Sequence, residues 1–228
     1  MMKRNTVILL LLCAFQGIAQ TNAELLKHYE AYYQQMKTQG DIHGVVSALT
    51  HLNILSPSIE RRDTLAAIYM NDGSHVQALN TLGSAELKPT DSNLAIEVKA
   101  VCLEQLGELQ GAIVHYEEIF KRQASIVVAY QLADLKIRVD DLAGAVTYID
   151  YGMANATPEM KQTYYEQQMP YQVPFKASFL YLKSLSKFKE NPETNKDAAI
   201  AILDEALQVA PNFNLAQISK DAIIAQKQ

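Results

Sequence analysis

The sequence predicts an all-α chain of about five helix-turn-helix units, closed by a lone C-terminal helix. Three observations predict it. Ala66, Gly73 and Ala78 recur as Ala100, Gly107 and Ala112, each displaced by 34 residues. Between these marks, apolar residues return every three or four positions, the spacing of one helix face. Finally, 228 residues contain only 9 Gly and 7 Pro, so breakers are few and fall where units end.

The amino terminus reads differently from the rest. Lys3 and Arg4 precede an apolar run from Val7 to Phe15, too short to span a bilayer, which takes about 20 apolar residues. Gly17 and Ala19 are small residues placed for signal-peptidase cleavage, so residues 1–19 read as a signal peptide and the mature chain starts at Gln20. Cleavage after Ala23 is the second option and an uncleaved anchor the third. Leu12 directly before Cys13 argues against a lipoprotein, because lipid attachment favours a small residue there. These features point to an exported protein, periplasmic or secreted.

The units follow in order. Residues 26–58 carry Gly40-Asp41 at the inner turn and Pro57 at the end, with Tyr33 and Val45 where small residues are expected. That pair of helices is predicted to be spaced more widely. Residues 59–92 hold Ala66, Gly73 and Ala78, with Pro89 expected to stop the second helix because proline cannot continue the hydrogen-bond ladder. In residues 93–125, Leu109, Ala112, Ile113, Tyr116, Ile119 and Phe120 form one apolar face. Residues 126–159 keep Ala133 and Ala145 but place Asp140 where glycine is expected. The fifth unit, 174–211, runs through Ala177 and Leu180, a turn at Asn191–Asn195, then Ala199, Leu203 and Ala206. Between the fourth and fifth units, the insertion 157–173 is expected to be a short helix begun at Thr157-Pro158 and followed by extended chain. Leu215, Ile218, Ala222 and Ala225 are expected to be the buried face of the cap helix, 212–228.

The small-residue register resembles the tetratricopeptide-repeat family, whose period is about 34 residues. The likeness covers roughly residues 26–228. It implies a right-handed α-solenoid whose first helices line a concave groove, and a role in holding a protein or peptide. It also places groove-facing residues: Lys27, Glu30 and Gln34; Glu60, Asp63 and Ala67; Glu97, Val101 and Glu104; Tyr130, Asp134 and Arg138. Members that grip a peptide's C-terminal carboxylate carry Lys, Asn and Arg at such places. Here the middle is acidic, which suits a partner segment bearing Lys or Arg, with Tyr130 as an apolar anchor.

Composition narrows the alternatives. Loss of Lys3 and Arg4 with the leader takes the net charge from −5 to −7, which excludes nucleic acid as a natural partner. With Cys13 removed, Cys102 is left without a disulfide mate, so packing must supply stability. It reads as a small buried residue, with intermolecular pairing the sharper alternative. His28, His43, His51, His75 and His115 show no metal-ligand spacing, and no phosphate loop or nucleophile elbow is present. No catalytic residue, metal or cofactor is expected. A non-catalytic scaffold is the leading function; the others are a subunit of an outer-membrane or envelope assembly complex, and an enzyme whose site converges from distant repeats. Oligomeric state is not readable from these residues.

Overall fold

The computed structural model describes residues 21–226; the leader, Cys13 and the cleavage sites after Ala19 lie outside the described residues. Among the described residues eleven helices follow in order. They are α1 (Asn22–Gln39), α2 (Ile42–Leu55), α3 (Ile59–Asn71), α4 (His75–Leu82), α5 (Asn93–Gln105), α6 (Leu109–Arg122), α7 (Ile126–Arg138), α8 (Leu142–Asn155), α9 (Phe175–Glu190), α10 (Lys196–Val209) and α11 (Asn214–Ala225). Two strands, β1 (Lys161–Tyr164) and β2 (Tyr171–Pro174), stand between α8 and α9.

Helix starts are set by side chains that accept the otherwise unpaired first N–H groups. Thr21 and Glu24 form a reciprocal capping box on α1, while Asp41, Ser58, Ser92, Ser125 and Asp141 cap α2, α3, α5, α7 and α8. The inner turn of each of the first four pairs closes in one way. Gly40, Gly73, Gly107 and Asp140 take φ of 71°, 76°, 82° and 61°. Each donates its N–H back to the last turn, as does the following residue: Asp41 to Met36, Ser74 to Tyr69, Glu108 to Leu103 and Asp141 to Lys136. This left-handed residue suits glycine and, less well, aspartate. Asp140 is held there by Lys189 of α9, whose Nζ reaches the Asp140 carboxylate at 2.7 Å and the Ile137 carbonyl at 2.9 Å.

Helices of a pair meet over small side chains. Ala66 and Ala78, Ala100 and Ala112, and Ala133 and Ala145 are all fully buried. In α9 and α10 the small residues are Ala177, Ser184 and Ala199, with the Ser184 hydroxyl donating to the Ala199 carbonyl at 2.8 Å. At the crossing of α1 and α2, Tyr33 and Val45 are joined by a small residue that the spacing did not mark. Gly44, one position before Val45, is the small residue of that crossing, and a Cβ there would stand 2.4 Å from the Met36 sulfur.

The chain forms two compact units, 1–82 and 83–228. The first holds α1–α4 around Val45, Leu49 and Leu65, with Tyr33, Met36, Ile68 and Tyr69 packed on them. In the second, a core from Ile126 to Ile223 runs through α7–α11 and the strands, preceded by the α5–α6 pair, where Ile96, Val98 and Leu103 are buried. The second helix of the 59–92 unit ends earlier than expected. Helix α4 stops at Leu82, seven residues before Pro89, where Gly83 turns left-handed at φ 79°. The stretch that follows is fastened to α5 by Lys99, whose buried Nζ donates to the Glu86 carbonyl and to Asp91, both at 2.6 Å. Burial would raise the Asp91 carboxyl, but hydrogen bonds from Lys99 and the Lys88 N–H, with the Lys99 charge, hold it below its ordinary value of 3.8.

Two further expectations change. Residues 157–173 contain no helix: Thr157-Pro158 opens a turn, and the chain then forms an antiparallel hairpin pairing Lys161 with Pro174, Gln162 with Val173, Thr163 with Gln172 and Tyr164 with Tyr171. Alternation explains it, since Tyr164 and Val173 turn inward and are buried while Lys161 and Gln172 are exposed, a period-two pattern a helix cannot satisfy. The cap helix α11 buries Ala216 and Ile223 in place of Ile218, Ala222 and Ala225, which are exposed, with Leu215 half-buried. Phe213, fully buried just before the helix, fixes that rotation.

Gly152 gives a direct test of the α8–α9 approach, because a Cβ there would lie 2.1 Å from the Phe179 ring. Gly152→Ala is expected to cost about 1–3 kcal/mol in urea unfolding, outweighing alanine's helix preference of about 1 kcal/mol. Gly111→Ala, whose Cβ meets only a movable Leu103 methyl at 3.3 Å, should be neutral or stabilising. Equal effects would remove the close approach from the account.

Candidate partner-binding surface

The expected groove residues fall into two groups, one in each compact unit. In the first, α1 and α3 face each other across an open cleft of about 610 Å³. Lys27, Glu30 and Gln34 come from α1 and Glu60 from α3, and the structure brings all four to this cleft. Tyr33 and Leu49 give it an apolar floor, and Arg61 joins at the start of α3. Lys27, Glu30 and Glu60 are exposed and enter no ion pair among the described residues. Asp63 does not share this position: it is 2% exposed and paired with Arg62 at 2.7 Å, so it braces α3. Ala67 is half-buried.

The second group sits on α5 and α7. Glu97 is exposed and Val101 half-buried. Glu104, Asp134 and Arg138 come together, but their charges are spent on one another. The Glu104 carboxylate accepts from the Tyr116 hydroxyl at 3.0 Å and from Gln131 Nε2 at 3.2 Å, and Arg138 lies 3.5 Å from both Glu104 and Asp134. Burial raises the Asp134 carboxyl above its usual range; Arg138 opposes the rise and Glu104 adds to it. Arg138 therefore offsets part of the acidity read from the sequence in this unit, while Glu97 stays exposed.

Tyr130 corrects the expected anchor. It is 9% exposed, its ring set edge-on to Phe175 and Phe179 with centroids 6.0 and 5.9 Å away. Its hydroxyl meets that of Tyr164 on β1 at 3.0 Å. The hairpin continues along the other first helices: Tyr164 packs on Phe213 at 4.9 Å, and the Tyr171 hydroxyl accepts from the Leu215 N–H at 3.3 Å. Extended chain of the protein itself thus lies over the first-helix surface of α7, α9 and the start of α11. Sequence spacing alone missed this because the hairpin has no counterpart in the other units; the alternation Tyr171-Gln172-Val173 on β2 was the available signal.

The residues weighed for other chemistry are structural. Cys102 is fully buried and burial pushes its thiol to about 11, which leaves it packed in the core with no route to an intermolecular disulfide. His115 is buried and donates Nδ1–H to the Gly111 carbonyl; burial lowers its pKa. His51 stacks on Tyr29 at 4.2 Å. Among the described residues, no three His, Cys, Asp or Glu side chains gather in a form that could hold a metal ion. No described helix is long and apolar enough to cross a membrane.

No protein-family model matches the chain, and no curated protein does. Solved structures do resemble it, and two of them are informative to set beside it. One is the MamA protein, at 16% identity and TM-score 0.60, covering 90% of this chain and 98% of that one. The other is a tetratricopeptide-repeat protein from Parabacteroides merdae ATCC 43184, at 14% identity and TM-score 0.46, covering 93% of this chain and 74% of its own. The likeness to the MamA structure shows a shared fold, and the paired helices, the 34-residue register and the left-handed inner turns make it an all-α, tetratricopeptide-like solenoid.

Asp134 offers a pH test of the second group. Because its folded pKa lies above the unfolded value, its ionised form is disfavoured in the fold, a penalty present at neutral pH and lost as pH falls through the raised value. Asp134→Asn should therefore raise the thermal midpoint at pH 7 and converge with wild type near pH 3.8. A lower midpoint at pH 7 would show instead that the Arg138 contact dominates.

Proposed function

We propose that this tetratricopeptide-like chain is a non-catalytic, exported scaffold that holds a protein or peptide segment bearing Lys or Arg, chiefly in the α1–α3 cleft. The observation that carries the reading is the state of the charges. Glu30 and Glu60 line an open cleft without an ionic partner among the described residues, whereas Glu104 and Asp134 are already engaged by Arg138. Unpaired charge on an exposed cleft steers an oppositely charged segment and fixes its register more than it adds affinity. Tyr33 and Leu49 supply apolar contact beneath it. Lys27 and Arg61 in the same cleft favour a segment of mixed sequence over a purely basic one. Glu97 is the remaining exposed carboxylate of the expected set and extends the reading to the second unit.

Export is part of the proposal and rests on the basic start, the short apolar run and Gly17-x-Ala19. Amino-terminal sequencing of the protein from an envelope or secreted fraction should find Gln20.

The binding test is affinity capture from such a fraction with wild type and with Glu30→Lys/Glu60→Lys. A saturable protein partner should be retained by wild type and lost by the charge-reversed form, with capture by wild type weakening as salt rises. Both substitutions fall on exposed positions, so thermal midpoints should agree within the usual surface range of about 0.5 kcal/mol. Equal capture by the two proteins would move the binding surface elsewhere.

A further inference from the structure

Among the second helices of the units, α4 is short. Helices α2, α6, α8 and α10 have 14 residues each, and α4 has 8. The α5–α6 pair shows what the missing turns would do. There Arg122, at the end of α6, donates to the Asp91 carbonyl and to Asn93 Oδ1, both at 3.0 Å, so α6 covers the start of α5. Shifted back by the 34-residue register, Arg122 becomes Lys88 and Asn93 becomes Ile59. Because α4 stops at Leu82, the start of α3 lacks that cover, and a groove of about 460 Å³ is open beside it. Asn53 and Ile54 of α2, Ile59 and Leu65 of α3, and Thr81 from the last turn of α4 line this groove. Residues 83–88 offer little to fill it. The positions that match the half-buried Ile119 and Phe120 of α6 are Ala85 and Glu86, a methyl group and a carboxylate, and the Glu86 carbonyl is held by Lys99. Ile54 and Ile59 are 73% and 59% exposed, and Asn53 Oδ1 is buried without a hydrogen-bond partner among the described residues.

We propose that this groove seats a large apolar side chain, Leu, Ile, Phe or Met, from the same partner segment whose basic residue lies in the α1–α3 cleft. The proposal rests on that reading of the cleft and extends it to a two-part recognition motif. Continuity and charge fix the occupant. Ser58, the N-cap of α3, lines both cavities, and of the residues after it Ile59 lines the groove and Glu60 the cleft. A segment drawn to Glu30 and Glu60 by opposite charge has only to run past Ser58 to reach Ile54 and Ile59. The one charged residue lining the groove, Arg62, is paired with Asp63 at 2.7 Å, so the groove selects an uncharged side chain. A main-chain N–H of the segment is the kind of donor that Asn53 Oδ1 lacks. The two seats lie on different faces of one helix start, about 10 Å apart, the width of a helix with its side chains. In extended chain that is roughly two to four residues, at about 3.3 Å each.

Selection from a displayed library of random short peptides, with the chain from Gln20 as bait, tests the motif. Wild type should enrich peptides that carry Lys or Arg and, at the spacing above, Leu, Ile, Phe or Met. Ile54→Ser/Ile59→Ser changes two exposed positions and should match wild type in thermal midpoint. It should keep the basic preference and lose the apolar one. For a selected peptide, exchanging its apolar residue for Ser should weaken binding to wild type at least about tenfold, the loss of one buried aliphatic side chain, and leave binding to Ile54→Ser/Ile59→Ser unchanged. Basic enrichment with no apolar residue beside it, or an apolar preference that survives Ile54→Ser/Ile59→Ser, would overturn this proposal and leave the α1–α3 cleft reading in place. Absence of basic enrichment, or basic enrichment that Glu30→Lys/Glu60→Lys leaves intact, would overturn the cleft reading and this proposal with it.

Discussion

The rest of the structure depends on the close approach of paired helices across side chains no larger than alanine. Two helices can bury their apolar stripes against each other only where the backbones come near enough for ridges to enter grooves. Ala66, Ala78, Ala100, Ala112, Ala133, Ala145, Ala177 and Ala199 are all fully buried at such places. Once that distance is set, the inner turn must be tight, and one left-handed residue at Gly40, Gly73, Gly107 or Asp140 closes it. The turn then lets a capping aspartate such as Asp41 or Asp141 start the return helix. Without a disulfide framework, this packing carries the fold.

The same geometry decides what is left for binding. A helix pair packs on its neighbours through some faces and leaves part of the first helix uncovered. In the first compact unit that surface is the open cleft between α1 and α3, where Glu30 and Glu60 enter no ion pair among the described residues. In the second, α5 keeps Glu97 exposed, while over α7 and α9 the surface is covered by the hairpin, whose Tyr164 bonds to Tyr130 and whose Tyr171 reaches the start of α11. One architecture thus yields an open surface and a self-filled one, and the difference comes from one insertion.

How much of this was legible in the sequence follows from what each signal depends on. Helix pairing was readable because it rests on local facts, small residues at a fixed interval and a turn residue between them. Asp140 shows the limit: the sequence marked it as a departure from glycine, while the Lys189 contact that holds it comes from a helix 49 residues away. The end of α4 was misplaced because Pro89 is the louder breaker, yet Gly83 comes first and Lys99 then pins the stretch that follows. The expected groove residues all lie on first helices, but periodicity is blind to pairing across helices. Burial of Asp63 and Tyr130, and the neutralisation of Glu104 by Arg138, depend on neighbours that periodicity does not supply.

The most direct measurement is the cost of enlarging a residue at a crossing compared with the same change outside one. Ala100→Leu and Ala112→Leu, each at a fully buried position, should lower unfolding free energy by about 1–3 kcal/mol, and Ala201→Leu on the exposed face of α10 should stay within about 0.5 kcal/mol of wild type. Equal stability of all three variants in urea would contradict the claim that close helix approach organises this protein.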